Sequence, residues 1–380
     1  DGSFFITSER VSLRLSARGD MRGMKRVYNF NAGPSAMPLD VLKAVQAEFL
    51  DFNHTGMSIV EISHRSAAYQ DMQDETVGLM RRLLQVPDDY HIVFMQGGGS
   101  LQFAMHAMNF LKRRGGYLNT GVWSDKAMKA ASFFGDVYEV ASSKADGFSY
   151  IPKADTFVVQ PDTDYVYMTS NNTIHGTEWH GYPSFDVPLF CDMSSDFMSQ
   201  PVDVSKFDFI YAGAQKNIGP AGVVVAIIKD SLLAQAKEDV PVVLQYKTYV
   251  EHDSTYNTPP VFGIYFINKV MHWLKDNGGL EGAYRRNVQK AGIVYGVIDG
   301  SDGFYRGHAA ADSRSLMNVT FNLPTAELEA EFIAQAAERG LIGLKGHRSL
   351  GGCRASIYNA VTEEGCQALA EFMEEFRKKH

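Results

Sequence analysis

The feature that most constrains the fold of this chain is a regular alternation of short apolar segments with helical patterns. Segments 101–113 and 124–134 have helical patterns. The apolar segments are short, rich in β-branched or aromatic residues, and bounded by turn-forming residues, which is typical of strands. They are HIVFMQ (91–96), DVYEVA (136–141), YVYMTSN (165–171), LFCDMSS (189–195), FDFIYAG (207–213) and GVVVAII (222–228). This order predicts an α/β domain with a mostly parallel sheet between two layers of helices.

The last hundred residues predict a smaller α+β domain. Segments 315–324 and 354–360 are predicted strands, and 326–339 is a predicted helix. A final helix begins after Thr362, a suitable N-cap residue. We expect a large domain over 41–280 and a small domain built from 24–40 with 281–380. Residues 1–23 differ in character from the rest and are interpreted as a leader left by cloning, with a targeting peptide as the alternative.

Charge and cysteine content exclude several classes of protein. Among 380 residues, 36 Lys and Arg stand against 44 Asp and Glu, a net charge of −8. Nucleic-acid binders usually carry a basic balance, so no nucleic-acid partner is expected. The three cysteines form no CxxC pair, which argues against a disulfide framework and a thiolate zinc site. No apolar run approaches the ~20 residues of a membrane span. We therefore expect a cytoplasmic protein without a metal and without membrane contact.

A glycine-rich turn at 96–100, QGGGS, lies directly between a predicted strand and a predicted helix. Free N–H groups at a helix start bind anions, and glycines let the backbone approach them closely. The pattern matches neither GxGxxG nor a P-loop. A tight turn without a ligand is the alternative, but three glycines and a hydroxyl favour phosphate binding.

Two further candidates lie near predicted strand ends. Lys216, in YAGAQKNIGPAG, lies in a tight bend between two strands, where partial burial would favour a nucleophilic amine. Asp192 follows an apolar strand, at the sheet edge where α/β proteins bind ligands. An exposed loop lysine and a helix-capping aspartate are the corresponding alternatives.

Two basic segments complete the set of candidates. KGHRSLGGCR (345–354) contains two arginines, a lysine and a histidine but no acid, and His64-Arg65 forms a second basic pair. Arginine matches carboxylate or phosphate oxygens, although such clusters are often solvated surface. A phosphate-binding turn, an amine that forms a Schiff base, a strand-end aspartate and arginines for acidic substrates together predict a pyridoxal 5′-phosphate (PLP) enzyme.

The chain from about residue 28 onward resembles the phosphoserine aminotransferase family of class-V aminotransferases. The motifs that carry the resemblance are NFNAGPSAMP, SHRS, GGGS, GVWSDKA, SNNTIHGTEW, YAGAQKNIGPAG, YNTPP and GHRSLGGCRASIYNA. It implies the aspartate-aminotransferase fold (type I), with a seven-stranded sheet in the large domain, and a homodimer. The implied reaction is 3-phosphohydroxypyruvate plus L-glutamate giving O-phospho-L-serine and 2-oxoglutarate, in serine biosynthesis. Some bacterial members also serve pyridoxine biosynthesis.

The resemblance also implies roles for individual residues. Lys216 would form the Schiff base, Asp192 would pair with the pyridine nitrogen, and Trp123 would stack on the ring. The remaining cofactor contacts would be Gly99, Ser100, Thr173 and Gln215, with Asn257 and Thr258 from the neighbouring subunit. Arg354 would bind the substrate α-carboxylate. The distal phosphate or γ-carboxylate would be bound by His64, Arg65, His347 and Arg348. Some family members have arginine where Ser100 stands, which changes the balance of phosphate contacts.

Other interpretations stay open at this point. A related enzyme of the same fold, such as an alanine–glyoxylate aminotransferase or a cysteine desulfurase, would share the lysine and the aspartate. The paired His-Arg motifs favour a doubly charged distal group, and a desulfurase needs a mobile cysteine. A binding protein for an anionic metabolite is the alternative from a different class.

Overall fold

The computed structural model describes residues 26–380, so the predicted leader, 1–23, lies outside the described residues. Its strands are β1 (Tyr28–Asn29), β2 (Tyr90–Met95), β3 (Arg114–Asn119), β4 (Asp136–Ser142), β5 (Thr163–Thr169), β6 (Asn171–Asn172), β7 (Thr177–Glu178), β8 (Leu189–Asp192), β9 (Phe209–Gly213), β10 (Val224–Lys229), β11 (Arg306–Gly307), β12 (Asn318–Asn322), β13 (Leu341–Ile342) and β14 (Cys353–Ser356). Its α-helices are α1 (Leu39–Glu48), α2 (Ala67–Leu84), α3 (Gly98–Phe110), α4 (Val122–Ala131), α5 (Asp230–Leu233), α6 (Tyr246–Glu251), α7 (Val261–Asp276), α8 (Gly279–Asp299), α9 (Ala326–Glu338) and α10 (Glu363–Arg377).

The central sheet has seven strands in the order β2-β10-β9-β8-β5-β3-β4. Strand β10 runs antiparallel to both of its neighbours, and the other strands are parallel to one another. This arrangement confirms the predicted mostly parallel α/β fold. Because parallel strands share one direction, their carboxyl ends meet along a single edge of the sheet.

The sheet is buried on both faces. Along β2, Ile92 and Phe94 belong to one apolar core while Val93 belongs to the other. The first core is covered by α1, α2 and α7, and the second by α3, α4 and α6. Since side chains alternate across a strand, a strand covered on both faces has to be apolar at nearly every position. The continuous apolar runs in the sequence follow from this packing.

A separate core forms around the antiparallel sheet β11-β12-β14, which is packed by α8, α9 and α10. Phe30 and Ala36, from the beginning of the described chain, lie in this core. Strand β1 pairs in parallel with β13, which joins the first described strand to the C-terminal part of the small domain core. The first turn of α8 contributes Leu280 to the core of the large sheet, whereas Val294 contributes to the small core. The domain limits at residues 40 and 280 stay a prediction.

Strand β3 was not predicted from the sequence. Its segment RGGYLN resembles a turn because of its two glycines. In the structure a Cβ at Gly116 would lie 2.6 Å from Val140 Cγ2, and one at Gly115 would lie 3.0 Å from the Tyr165 ring. The glycines therefore leave space for larger side chains of the neighbouring strands. The predicted helix 101–113 is wrong at its C-terminus, because α3 ends at Phe110 and β3 begins at Arg114.

The predicted strand 354–360 is also longer than the observed one, since β14 ends at Ser356. Beyond it, the Ile357 N–H donates to Met317 O, and the chain turns towards α10. Thr362 caps α10 as expected, because its hydroxyl accepts from the Gly365 N–H at 3.2 Å. Within residues 26–380, no helix is long and apolar enough to cross a membrane.

Candidate active site

A cavity of about 80 Å³ lies at the carboxyl edge of the central sheet. Each side of the cavity comes from a different element: the start of α3, the start of α4, the end of β8 and the turn between β9 and β10. The residues that line it are Gly99, Ser100, Phe103, Trp123, Asp192, Ser194, Gln215 and Lys216. Six residues predicted to bind the cofactor are thus brought together from positions 99 to 216.

The start of α3 forms one wall, and its glycines have a steric reason. Gly97, the residue before the helix, has φ +93, and a Cβ there would lie 2.4 Å from Leu101 Cδ2. Gly98 also has a positive φ, of +66. The chain can therefore turn directly from β2 into the helix. Free N–H groups of the first helical turn are suited to bind an anion next to Ser100.

Asp192 is the last residue of β8, and only 6% of its surface is exposed. The Ser194 N–H donates to Asp192 Oδ1 at 2.9 Å, and the Tyr211 hydroxyl donates to Asp192 Oδ2 at 3.1 Å. Two donors hold the carboxylate in one orientation at the cavity wall. Buried carboxylates are costly unless they are paired in this way, so the position is suited to a cationic ligand group.

Lys216 lies in the turn between β9 and β10, and its Nζ donates to Thr173 Oγ1 at 2.7 Å. Burial lowers the pKa of the Lys216 amine to about 8, an effect that Asp192 opposes and Arg354 reinforces. The main-chain oxygen of Lys216 accepts from the Ser35 hydroxyl, which ties the turn to the N-terminal segment. A substantial neutral fraction of this amine near neutral pH makes it a nucleophile.

Trp123, the second residue of α4, packs beside the cavity. Its Nε1 is buried and has no hydrogen-bond partner among the described residues. The Trp123 ring centroid lies 6.4 Å from that of Phe103 and 4.6 Å from Lys126 Nζ. The Lys216 Nζ lies 5.9 Å from the same ring. The indole is therefore placed next to the reactive amine.

Arg354, on β14 of the small sheet, contacts Thr173, the hydrogen-bond partner of Lys216. Its Nη1 donates to the main-chain oxygen of Thr173 at 3.3 Å, and its Nε is buried without a partner in the described part of the chain. Burial, Arg354, Arg348 and Lys126 all lower the pKa of His347. The positive charges of Arg348, Arg354 and Lys126 therefore lie close enough to His347 to disfavour its protonation.

Eight predicted site residues do not line this cavity: Thr173, His347, Arg348 and Arg354, described above, and His64, Arg65, Asn257 and Thr258. His64 and Arg65 lie in the turn before α2, where the His64 main-chain oxygen accepts from Gln70. Asn257 and Thr258 are exposed in the segment before α7, and the Thr258 main-chain oxygen accepts from Gln96 at 2.6 Å. Their roles stay predictions.

Sequence reasoning missed Ser194 and His175. Ser194 lines the cavity, and its hydroxyl accepts from the Gly213 N–H at 3.0 Å. His175 is buried against Phe148, with ring centroids 4.8 Å apart, and its pKa is lowered to about 4 by burial and by His308 and His347. Both lie two residues from a predicted site residue, which was the available signal.

PLP carries an aldehyde, a phosphate and a pyridine ring, and the observed residues fit each of these groups. The amine of Lys216 suits the aldehyde, and the start of α3 suits the phosphate. Asp192 would pair with a protonated ring nitrogen, and Trp123 Nε1 and Arg354 Nε, which have no partner within residues 26–380, offer donors that need acceptors. Fold and site together define the class of the protein: a PLP-dependent transferase of fold type I.

Comparison with known proteins supports this assignment to PLP-dependent transferases. The family model "Aminotransferase class-V" matches residues 27–369. A phosphoserine aminotransferase from Halalkalibacterium halodurans is 52% identical over 360 residues, covering 94% of this chain and all of the relative. The solved phosphoserine aminotransferase of Bacillus circulans subsp. alkalophilus is 49% identical, with a TM-score of 0.92 over 94% of this chain and 99% of its own. A PLP-bound phosphoserine aminotransferase from Trichomonas vaginalis is 37% identical, with a TM-score of 0.88 over 92% of this chain and all of its own. The chain belongs to the class-V aminotransferase family, within its phosphoserine aminotransferase branch.

Proposed function

We propose that this protein transfers an amino group from L-glutamate to 3-phosphohydroxypyruvate, giving O-phospho-L-serine and 2-oxoglutarate. The observation that carries the proposal is that Lys216 and Arg354 both contact Thr173, which places a reactive amine beside a partly buried guanidinium. The named relatives at about half identity support the choice of substrate. The reaction would serve serine biosynthesis, and pyridoxine biosynthesis is a further possible use.

The cofactor would be held by three parts of this chain. Ser100 and the free N–H groups of α3, with Gln215, would bind its phosphate. Asp192, fixed by Ser194 and Tyr211, would pair with the ring nitrogen, and Trp123 would cover the ring. When bound, PLP supplies an aldehyde that takes up the amino group and a ring that accepts the electron pair released at the substrate α-carbon.

Lys216 would hold the cofactor aldehyde and move the proton at the substrate α-carbon. A general acid and base works best when its pKa is near the working pH, and the pKa of Lys216 is lowered to about 8. Thr173 positions the amine through its hydroxyl, at 2.7 Å. After 2-oxoglutarate has left without the amino group, the Lys216 amine would handle the proton at the α-carbon of the second substrate.

The basic groups would bind the two ends of the substrate. Arg354 would bind the α-carboxylate, since its Nε is buried and unpartnered among the described residues. His347 and Arg348 would bind the distal group. A cluster of arginine and histidine can accept either a phosphate or a γ-carboxylate because it recognises negative charge.

We further propose that the protein works as a cytoplasmic homodimer. His64, Arg65, Asn257 and Thr258 do not line the cavity within one chain. In a dimer they would reach the active site of the neighbouring subunit. The first two would contact the distal phosphate and the last two the cofactor phosphate.

The experiment is a spectroscopic titration of the PLP-loaded protein with phosphoserine, glutamate and alanine. We expect phosphoserine and glutamate to bleach the visible absorption band, with little effect of alanine. Bleaching by alanine would instead favour an alanine–glyoxylate type of aminotransferase, the second candidate. Arg65→Ala should raise the concentration needed for half-maximal bleaching, and it should do so more for phosphoserine than for glutamate. Arg82→Ala, at the far end of α2, is the matched control, and equal titrations for the Arg65 variant and the wild type would contradict its role.

A further inference from the structure

Two carboxyl side chains are buried behind Asp192, away from the cavity. Asp196 is 3% exposed and Glu178 is 1% exposed. Neither forms an ion pair with lysine or arginine among residues 26–380; their hydrogen-bond partners are neutral. Buried carboxylates without counter-charges are costly, so their protonation state has to be explained.

The two carboxyls approach each other through Ser170. The Trp179 N–H donates to the Ser170 main-chain oxygen at 2.9 Å, which places Glu178 beside this residue. The Ser170 hydroxyl oxygen lies 2.5 Å from Asp196 Oδ1. Glu178 accepts from two N–H donors, Leu316 N at 2.6 Å and Gln200 Nε2 at 3.2 Å, which suits an ionised carboxylate. Asp196 Oδ2, in contrast, has no partner within the described part of the chain.

The hydroxyl of Ser170 has two neighbours that both accept hydrogen bonds when Asp196 is ionised. Ser170 Oγ lies 3.1 Å from the Asp192 main-chain oxygen and 2.5 Å from Asp196 Oδ1. A serine has one hydrogen to donate, so it can satisfy only one of them. Both contacts become hydrogen bonds if Asp196 itself carries a proton. Asp196 then donates to Ser170, and Ser170 donates to the Asp192 main chain.

We propose that Asp196 is a positioning residue that is protonated in the folded protein and donates through Ser170 to the main chain of Asp192. This relay fixes the peptide of the residue that faces the cofactor ring. It also keeps the side chain of Asp192 on the cavity side. The role of Asp192 in this scheme rests on the proposed function, but the proton on Asp196 does not.

The surroundings agree with a neutral Asp196. Burial raises the pKa of Asp196 well above its usual range, and Glu178 and Asp192 raise it further, whereas the Ser170 hydroxyl opposes the rise. The pKa of Glu178 is itself raised to about 7 by burial. Other titratable groups that sense the Asp196 charge are Tyr182, Cys191, Lys216 and Tyr358. Lys216 is the cation among them, and it is engaged by Thr173.

The first test detects the proton on Asp196 by infrared spectroscopy of protein from which PLP has been removed. Infrared difference spectra between wild type and Asp196→Asn are recorded at about pH 7, where ordinary carboxyl groups are ionised. Because the pKa of Glu178 is raised to about 7, both proteins also carry Glu178→Gln, so that Glu178 contributes no acid band. We expect a carboxylic-acid carbonyl band that is present in the Glu178→Gln protein and lost when Asp196→Asn is added. Asp208→Asn is the matched control, because Asp208 accepts from the Leu189 N–H at the other end of β8. Absence of the band would overturn the proposal, whatever substrate the enzyme uses.

The second test compares PLP dissociation constants. The amide of Asp196→Asn can donate to Ser170 as the protonated acid does, so its dissociation constant should stay within about twofold of wild type. Ser170→Ala breaks the relay and should weaken PLP binding by about tenfold, the size expected for one buried hydrogen bond. Equal losses in the two variants would show that Asp196 acts as an ionised acceptor and would overturn the proposal.

Discussion

Replacing Thr173 by valine removes the hydroxyl that accepts from Lys216 at 2.7 Å, while it keeps the branched shape of the side chain. A hydrogen bond involving a charged group contributes about 1.5–3 kcal/mol, and one between neutral groups about 0.5–1.5 kcal/mol. The hydroxyl therefore favours the ammonium form of Lys216 over the amine by about 1 kcal/mol. Since one pKa unit corresponds to ~1.36 kcal/mol, Thr173→Val should lower the pKa of Lys216 by roughly 0.7 unit.

The wild-type pKa of Lys216 is already lowered to about 8. At pH 7 the neutral fraction of the amine should then rise by about three- to fourfold in the variant. The assay is reductive methylation of PLP-free protein with formaldehyde, followed by mass spectrometry of the Lys216 peptide over a range of pH. Formaldehyde is small and uncharged, so its access should not depend on the phosphate site. Lys129, exposed on α4, serves as the internal reference.

Thr173→Ser is the control, because it keeps the acceptor and should titrate as the wild type does. The reasoning predicts faster labelling of Lys216 in the valine variant near neutral pH, although that variant should be a poorer enzyme. An unchanged or higher midpoint for Thr173→Val would show that the hydroxyl does not stabilise the charged amine.

Two further predictions concern stability. Thr362→Ala removes the cap of α10 and should lower the free energy of unfolding by about 1 kcal/mol in urea denaturation, whereas Thr362→Ser should not. Lys290 is 2% exposed, donates to Ile357 O and Tyr358 O, and has its pKa lowered to about 7, chiefly by burial. Because the folded state binds this proton less tightly than the unfolded state, the group makes stability rise with pH from about 7 to about 10, by up to ~1.4 kcal/mol per pH unit. In urea denaturation recorded across that pH range, the free energy of unfolding of Lys290→Met should lack this rise, and parallel pH dependences of the variant and the wild type would contradict the prediction. For the cap of α10, equal unfolding midpoints of Thr362→Ala and Thr362→Ser would contradict the reasoning.

Most strands of the central sheet could be predicted from the sequence. They are buried on both faces, so their segments are continuously apolar. Strand β3 could not, since the reason for Gly115 and Gly116 lies in Tyr165 and Val140 of neighbouring strands. Nothing in the local sequence RGGYLN indicates that these larger side chains occupy the space above it. The end of β14 was missed for a similar reason, because Ile357 leaves the ladder to bond with Met317.

Residues of the candidate site could be predicted where the evidence for them lies in the neighbouring sequence. Lys216, Asp192 and the glycine turn each have a signature in a few neighbouring residues. Contacts across the fold left no such signal: the bond from Lys216 to Thr173 joins residues 43 positions apart, and Arg354 reaches Thr173 from the other sheet. The resemblance to a family supplied Thr173 and Trp123, which physical reasoning from the sequence alone did not select.

The pairing of β1 with β13 has a consequence for the order of folding during synthesis. The strands of the central sheet all lie between residues 90 and 229, so that sheet can form while the ribosome is still translating α8 and beyond. Strand β1 is translated before the central sheet. Its Tyr28 N–H and the following Phe30 N–H can form their hydrogen bonds to Gly340 O and Ile342 O only after these much later residues have been translated. Phe30, fully buried in the finished protein, therefore stays exposed to chaperones through most of synthesis. Of the strands in residues 26–380, the first to be made is therefore among the last to be paired.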